Sequence, residues 1–117
     1  MPLIELQTNA AIAADEQQAL MKALSQKTAE ILGKPESYGM VSLRQGLPML
    51  FGGSDAPCAF FAVYSLGEVS GEQAERFSAD ISALLEERCG VDTARIYSKY
   101  VGWQDRHLWG YRGGTFG

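Results

Sequence analysis

Along the first eight residues, Leu3, Glu5 and Gln7 alternate with Ile4, Leu6 and Thr8, the period of two expected of a strand with at least one buried face. From about Asp15 to Leu32 the period changes. Leu20, Leu24, Thr28 and Ile31 recur at three- and four-residue intervals, with Met21 and Leu32 widening the stripe, which predicts an amphipathic helix. Gly33 is placed to cap it in the left-handed conformation, and Pro35 cannot continue it because it lacks an N–H and clashes with the preceding turn. Met40 to Arg44 reads as a short strand. The stretch from Gln45 to Pro57, with two prolines and three glycines, reads as a long loop.

Cys58 to Tyr64 is an almost unbroken apolar run, consistent with a strand covered on both faces and ended by Gly67. Ser70-Gly71-Glu72-Gln73 has the spacing of a capping box and opens a second helix, in which Phe77, Ile81, Leu84, Leu85 and Arg88 follow helical spacing up to Gly90. Ala94 to Val101 predicts a further strand, and His107 to Tyr111 a short last one.

The two helix-stopping glycines are separated by 90 − 33 = 57 positions. The same offset carries Leu20 onto Phe77, Leu24 onto Ile81, Thr28 onto Leu85 and Pro2 onto Ala59. The chain therefore reads as one α+β domain, residues 1–117, made of two β-α-β halves at about 2–57 and 58–117. Right-handed crossovers make the strands of each half parallel, giving a four-stranded mixed sheet with both helices on one face. Two helices cannot cover Phe60, Phe61, Val63 and Tyr64 together, so a partner chain is expected on the other face.

At 117 residues the chain can bury a core, and 46% hydrophobic with 21% charged residues is ordinary globular composition. A formal net charge of −4 without clustered Lys or Arg gives nucleic acid no electrostatic foothold. No apolar run approaches a membrane span and no Sec-type signal is visible, so a cytoplasmic location is expected, with non-classical secretion left open. Cys58 and Cys89, 31 positions apart, match neither metal-ligand spacing nor a redox pair, and are expected to be reduced, buried thiols. A single histidine, His107, speaks against a histidine-based metal cluster.

One position offers chemistry of its own. If Met1 is removed, Pro2 becomes a secondary amine at the chain terminus and a possible base; a Met-Pro opening alone carries little weight. A β-α-β crossover could bring Lys34 near it. A neighbouring cation and burial beside Tyr38 and Leu66 both disfavour the protonated amine, at about 1.4 kcal/mol for each unit of downward pKa shift. The same lysine could hold a substrate carboxylate.

Met1-Pro2-Leu3, Thr8-Asn9, Gly33-Lys34-Pro35 with Tyr38, Phe51-Gly52-Gly53-Ser54 with Pro57-Cys58-Ala59, Ser65-Leu66-Gly67, Arg95-Ile96-Tyr97 and Thr115-Phe116 run in an order that resembles the macrophage migration inhibitory factor family of the tautomerase superfamily, nearly end to end. The resemblance implies a homotrimer with an active site at each subunit interface and no cofactor or metal. It implies keto–enol tautomerisation of phenylpyruvate-like or dopachrome-like substrates by Pro2. Lys34 and the Leu66 backbone N–H would bind the carboxylate, Tyr97 would enter from a neighbouring subunit, and Tyr38, Trp109, Tyr111 and Phe116 would line an aromatic pocket. Lys99 stands where vertebrate cytokine-type sequences carry Asn, which would add a second cation. Phe61 replaces the second cysteine of a Cys-x-x-Cys pair, so thiol–disulfide activity is not expected. Trp109-Gly110-Tyr111 replaces a Val-Gly-Trp pattern. The same resemblance allows a cytokine-like signalling or host-interaction trimer with a residual pocket and no readable receptor surface, or a proline-dependent decarboxylation or dehalogenation.

Overall fold

A computed structural model describes residues 2–117; Met1, whose removal the proline chemistry requires, lies outside the described residues. Four strands, β1 (Leu3–Thr8), β2 (Met40–Arg44), β3 (Ala59–Leu66) and β4 (Ile96–Trp103), form a sheet in the order β2-β1-β3-β4. The outer pairs are parallel and the central β1–β3 pair antiparallel, the mixed sheet expected from two β-α-β units. Helices α1 (Ala14–Leu32) and α2 (Gly71–Cys89) are the crossovers. Their bounds share the glycine offset, since 71 − 14 and 89 − 32 both equal 57.

Register decides which side chains the helices cover. Ile4 lies opposite Val63 and Leu6 opposite Phe61, so these four share a face. Leu20 and Leu24 of α1 and Phe77, Ile81 and Leu85 of α2 close over them, all essentially inaccessible to water. Each such burial stabilises the fold by about 1.5–3 kcal/mol. Thr28, the polar member of the α1 stripe, donates to the Leu24 carbonyl at 2.7 Å and so buries its hydroxyl without loss. The other sheet face carries Leu3 beside Tyr64, and Glu5, Ala62 and Lys99 in one row across three strands. Phe60 and Tyr64 are half-buried there, while Phe61 and Val63 are satisfied by the helices.

Both helix ends follow the residues that signal them. Ser70 Oγ accepts from the Gln73 N–H while Gln73 Oε1 accepts from the Ser70 N–H, at 3.1 and 3.0 Å. Gly33, at φ 65°, donates to the Glu30 carbonyl and Lys34 to the Ala29 carbonyl, a Schellman end that turns the chain back toward the sheet.

Four expectations change. The third strand runs Ala59–Leu66 rather than 58–64, because its pairing with β4 extends to Leu66 opposite Trp103. The fourth begins at Ile96, since the Asp92 side chain accepts from the Ala94 N–H and winds Thr93–Arg95 into a 3₁₀ turn. The single last strand is a 3₁₀ turn, Arg106–Leu108, followed by a ribbon of β5 (Gly110–Tyr111) and β6 (Gly114–Thr115). Its two-residue turn, Arg112-Gly113, has positive φ at both positions, as a tight hairpin demands. Cys58 is buried, but Cys89 is only partly so.

The loop 45–57 is held at one end of the sheet, where Thr8, Ala59 and Ile96 lie side by side. Phe51 and Ser54 exchange backbone hydrogen bonds across Gly52-Gly53, whose φ values of 59° and 77° make the pair of glycines necessary. Asn9 Nδ2 donates to the Asp55 and Ala56 carbonyls, and its Oδ1 accepts from the Cys58 N–H. Arg95 donates to the carbonyls of Phe51, Ser54, Ala56 and Pro57 at 3.0–3.2 Å, with its guanidinium 5.2 Å from the Phe51 ring centre. Arg95→Ala is expected to destabilise the protein by about 1–3 kcal/mol and to speed proteolysis between residues 45 and 57. Arg95→Lys should rescue little, because an ammonium cannot reproduce the planar fork. Denaturant midpoints and mapped cleavage sites check both.

Candidate active site

Pro2 is buried at the head of β1, its carbonyl accepting from the Met40 N–H at 2.9 Å, so pairing with β2 fixes its position. It opens onto a cavity of about 640 Å³ walled by aromatic rings. On one side Tyr111 and Phe116 stack nearly parallel, 4.9 Å apart and 4° from coplanar, and Tyr38 meets them edge-on at 5.6 and 6.4 Å. On the other, Trp103 stacks on Tyr64 at 5.9 Å and meets Trp109 edge-on at 5.7 Å. The C-terminal segment is strapped in place. Phe116 N–H donates to the Trp109 carbonyl at 3.1 Å, and Arg106 Nε donates to the Phe116 carbonyl at 2.9 Å.

Five sequence-identified positions thus share the cavity: Pro2, Tyr38, Trp109, Tyr111 and Phe116. Lys34 and Leu66 do not line it. They meet each other, the Lys34 ammonium donating to the Leu66 carbonyl, with Gly67 alongside. One acceptor occupies one of three ammonium hydrogens, so Lys34 keeps donors for an anion. Burial lowers its pKa from the ordinary 10.5.

Tyr97 stands apart from Pro2. It is 68% exposed and packs at 4.9 Å on Phe51, beside a smaller hollow lined by Phe51, Cys58, Ala59 and Phe60. Lys99 holds its ammonium 5.8 Å from the centre of the Tyr64 ring, a cation–π contact against the cavity wall. Glu5, Tyr64 and Trp103 line the cavity without having been singled out from sequence. The signal was present for two of them: Glu5 shares a face with Leu3 by alternation, and Tyr64 lies opposite Leu3 once β1 and β3 pair.

Among the described residues, no group of three or more His, Cys, Asp or Glu side chains is placed to hold a metal ion, and no helix is long and apolar enough to cross a membrane. A small aromatic molecule fits the volume, and ring faces and edges favour a flat one.

Comparison with known proteins gives one consistent result. The family model described as macrophage migration inhibitory factor matches residues 1–117. A macrophage migration inhibitory factor homolog of Trichuris trichiura is 38% identical over 96 residues, 82% of this chain and 83% of that protein. D-dopachrome decarboxylase-B of Xenopus laevis is 38% identical over 106 residues, 86% of each chain. The crystal structure of a macrophage migration inhibitory factor homologue from Prochlorococcus marinus superposes with a TM-score of 0.89 at 37% identity, covering 98% of this chain and 99% of that one.

Proposed function

The chain belongs to the macrophage migration inhibitory factor family, and from that premise we propose that it is a cofactor-independent keto–enol tautomerase of phenylpyruvate-like or dopachrome-like substrates. The observation that carries the reading is the burial of Pro2 at the mouth of an aromatic cavity. With Met1 gone, its nitrogen is a secondary amine whose protonated form the apolar surroundings disfavour. That amine accepts the enol hydroxyl proton and returns it to the neighbouring carbon. No electron leaves the substrate, and the proton is conserved.

Lys34 and the Leu66 backbone hold the substrate carboxylate while the ring lies among Tyr38, Trp109, Tyr111 and Phe116. Tyr97, remote from Pro2 within its own protomer, serves the cavity of a neighbour in a homotrimer, and Lys99 adds a cation at that junction. Light scattering at a mass near three times 12.7 kDa is expected; one protomer's mass would defeat the shared site. Turnover of enolised phenylpyruvate by protein whose N-terminus is verified by mass spectrometry tests the chemistry. No turnover would sink it.

Lys34→Ala is expected to raise KM about 10- to 150-fold, the range for losing a hydrogen bond to a charged group, with a smaller effect on kcat. Because burial lowers the Lys34 pKa, the ammonium is lost as pH rises through a value below 10.5. Carboxylate binding is complete below that pKa and falls above it. The unfolded chain holds this proton more tightly, so the group favours folding increasingly as pH rises through the same window. Lys34→Arg, which stays charged, should remove the alkaline rise in KM; a rise of equal size in that variant would assign it elsewhere.

A further inference from the structure

The two aromatic walls of the cavity are anchored differently. Tyr64 and Trp103 stand on β3 and β4, whose ladder runs from Ala59 opposite Ile96 to Leu66 opposite Trp103, so that wall moves only with the sheet. Tyr111 belongs to the β5–β6 ribbon, which pairs Gly110 with Thr115 and Tyr111 with Gly114, and Phe116 follows directly after it. A ribbon this short has little stability of its own. The second wall is therefore fixed through the backbone of Phe116, bonded on both sides: its N–H donates to the Trp109 carbonyl at 3.1 Å, and its carbonyl accepts from Arg106 Nε at 2.9 Å. Arg106 reaches across from the 3₁₀ turn ahead of the ribbon, which Asp105 caps by accepting from the His107 N–H at 2.9 Å. Holding both polar groups of one residue sets the direction of its side chain, and the Phe116 ring then lies 4.9 Å from Tyr111 and 4° from coplanar.

We infer that Arg106 is a positioning residue for ring binding: by latching the Phe116 carbonyl it holds the second wall where a flat ligand fits, without lining the cavity itself. The inference rests on the tautomerase reading of the same cavity. Donor and acceptor belong to one chain, so every cavity carries its own latch. The rest of the proposed machinery is held from other quarters. Pro2 is fixed through its carbonyl by the Met40 N–H, and Lys34 by the turn that ends α1. Loosening the latch leaves base and carboxylate site in place and displaces only the surface that the ring packs on. Its signature is a loss of ring affinity with turnover preserved, the reverse of what loss of the base would give.

A double-mutant cycle on the mature protein tests this, because a residue that acts only through Phe116 has nothing left to do once that ring is gone. The readouts are KM and kcat for enolised phenylpyruvate and, independently of turnover, the Kd of 3-phenylpropanoate from quenching of the two tryptophans, Trp103 and Trp109, both of which line the cavity. Arg106→Ala should raise KM and Kd about three- to tenfold, the worth of one hydrogen bond, with kcat within about twofold of wild type. Arg106→Lys keeps a cationic donor for the single acceptor and should stay within about twofold throughout. Phe116→Leu should weaken binding at least as much as Arg106→Ala, and adding Arg106→Ala to it should change Kd by less than about twofold. Unchanged KM and Kd in Arg106→Ala, a fall in kcat with KM unchanged, an Arg106→Lys no better than Arg106→Ala, or losses that multiply in the double variant overturn the inference. If wild type binds 3-phenylpropanoate but turns over nothing, the tautomerase reading fails instead, and the Kd cycle alone decides the latch; turnover without measurable analogue binding leaves the cycle to be read in KM. A wild type that does neither overturns both.

Discussion

Pro2→Ala is expected to turn over enolised phenylpyruvate about 10²- to 10³-fold more slowly than the mature protein, within the range that a positioned acid–base group contributes. Pro2→Gly should behave similarly. Both keep a terminal amine once Met1 is removed, but a primary one on a flexible residue, no longer held by the ring at the head of β1. Retention of Met1 should be more damaging than either, because the proline nitrogen then becomes an amide with no usable lone pair. The expected order is therefore mature wild type, then the two substitutions, then the Met1-retaining form at background. Equal rates in all four would remove proline from the mechanism. In the mature protein the amine must be neutral to accept a proton, so kcat/KM should fall on the acid side of its pKa. Loss of that acid limb in the Met1-retaining form would tie the titration to the terminus.

Gly102→Ala is expected to cost about 3 kcal/mol, in the range of overpacked backbone, and to lower Tm by about 15 °C at fixed protomer concentration. A Cβ at Gly102 would sit 2.3 Å from the Gly67 carbonyl oxygen and 3.0 Å from the Val69 nitrogen, both backbone atoms that no rotamer can move. Gly67 is itself at φ 95° and donates to the Trp103 carbonyl, so the turn after β3 is laid directly across β4. That turn begins at Leu66, whose carbonyl receives Lys34. Displacing it should therefore weaken carboxylate binding as well as stability, visible as a rise in KM at temperatures where the variant remains folded. Gly71→Ala is the contrast. A Cβ there meets nothing within 4 Å, and in the first turn of α2 it should be neutral or stabilising by up to about 1 kcal/mol. Thermal melts of the pair separate a steric cause from a general intolerance of alanine for glycine.

Where local chemistry decides the outcome, the sequence was sufficient. Gly33 and Gly90 end the helices in the left-handed conformation, Ser70 and Gln73 cap one reciprocally, and the apolar stripes face the sheet. The alternation in β1 put Ile4 and Leu6 inside. Errors arose where a side chain overrode the strand pattern: Asp92 delays β4, and Asp105, accepting from the His107 N–H, winds Arg106–Leu108 before the terminal ribbon. The candidate site was legible in part, for a topological reason. Pro2 and the C-terminal aromatics are far apart in the chain, and family order rather than periodicity paired them. Glu5 and Tyr64 required the β1–β3 register, which no single strand displays. Tyr97 and Lys99 carry their proposed roles only in the context of another protomer, a juxtaposition that the residue pattern of one chain does not contain.

The offset of 57 reaches beyond the helices. It carries Pro2 onto Ala59, Leu3 onto Phe60 and Met40 onto Tyr97, and both sets of residues border hollows: the first the large cavity, the second the smaller one beneath Phe51. The two halves therefore offer equivalent sockets. In the second, the position equivalent to the nitrogen that the proposed mechanism frees at Pro2 is the amide between Cys58 and Ala59, committed in both directions to chain. A scaffold can be written twice in one polypeptide, but a free amino terminus cannot. Whatever reaction depends on it is confined to one socket per protomer, and more such sites can be gained only by gathering more chains.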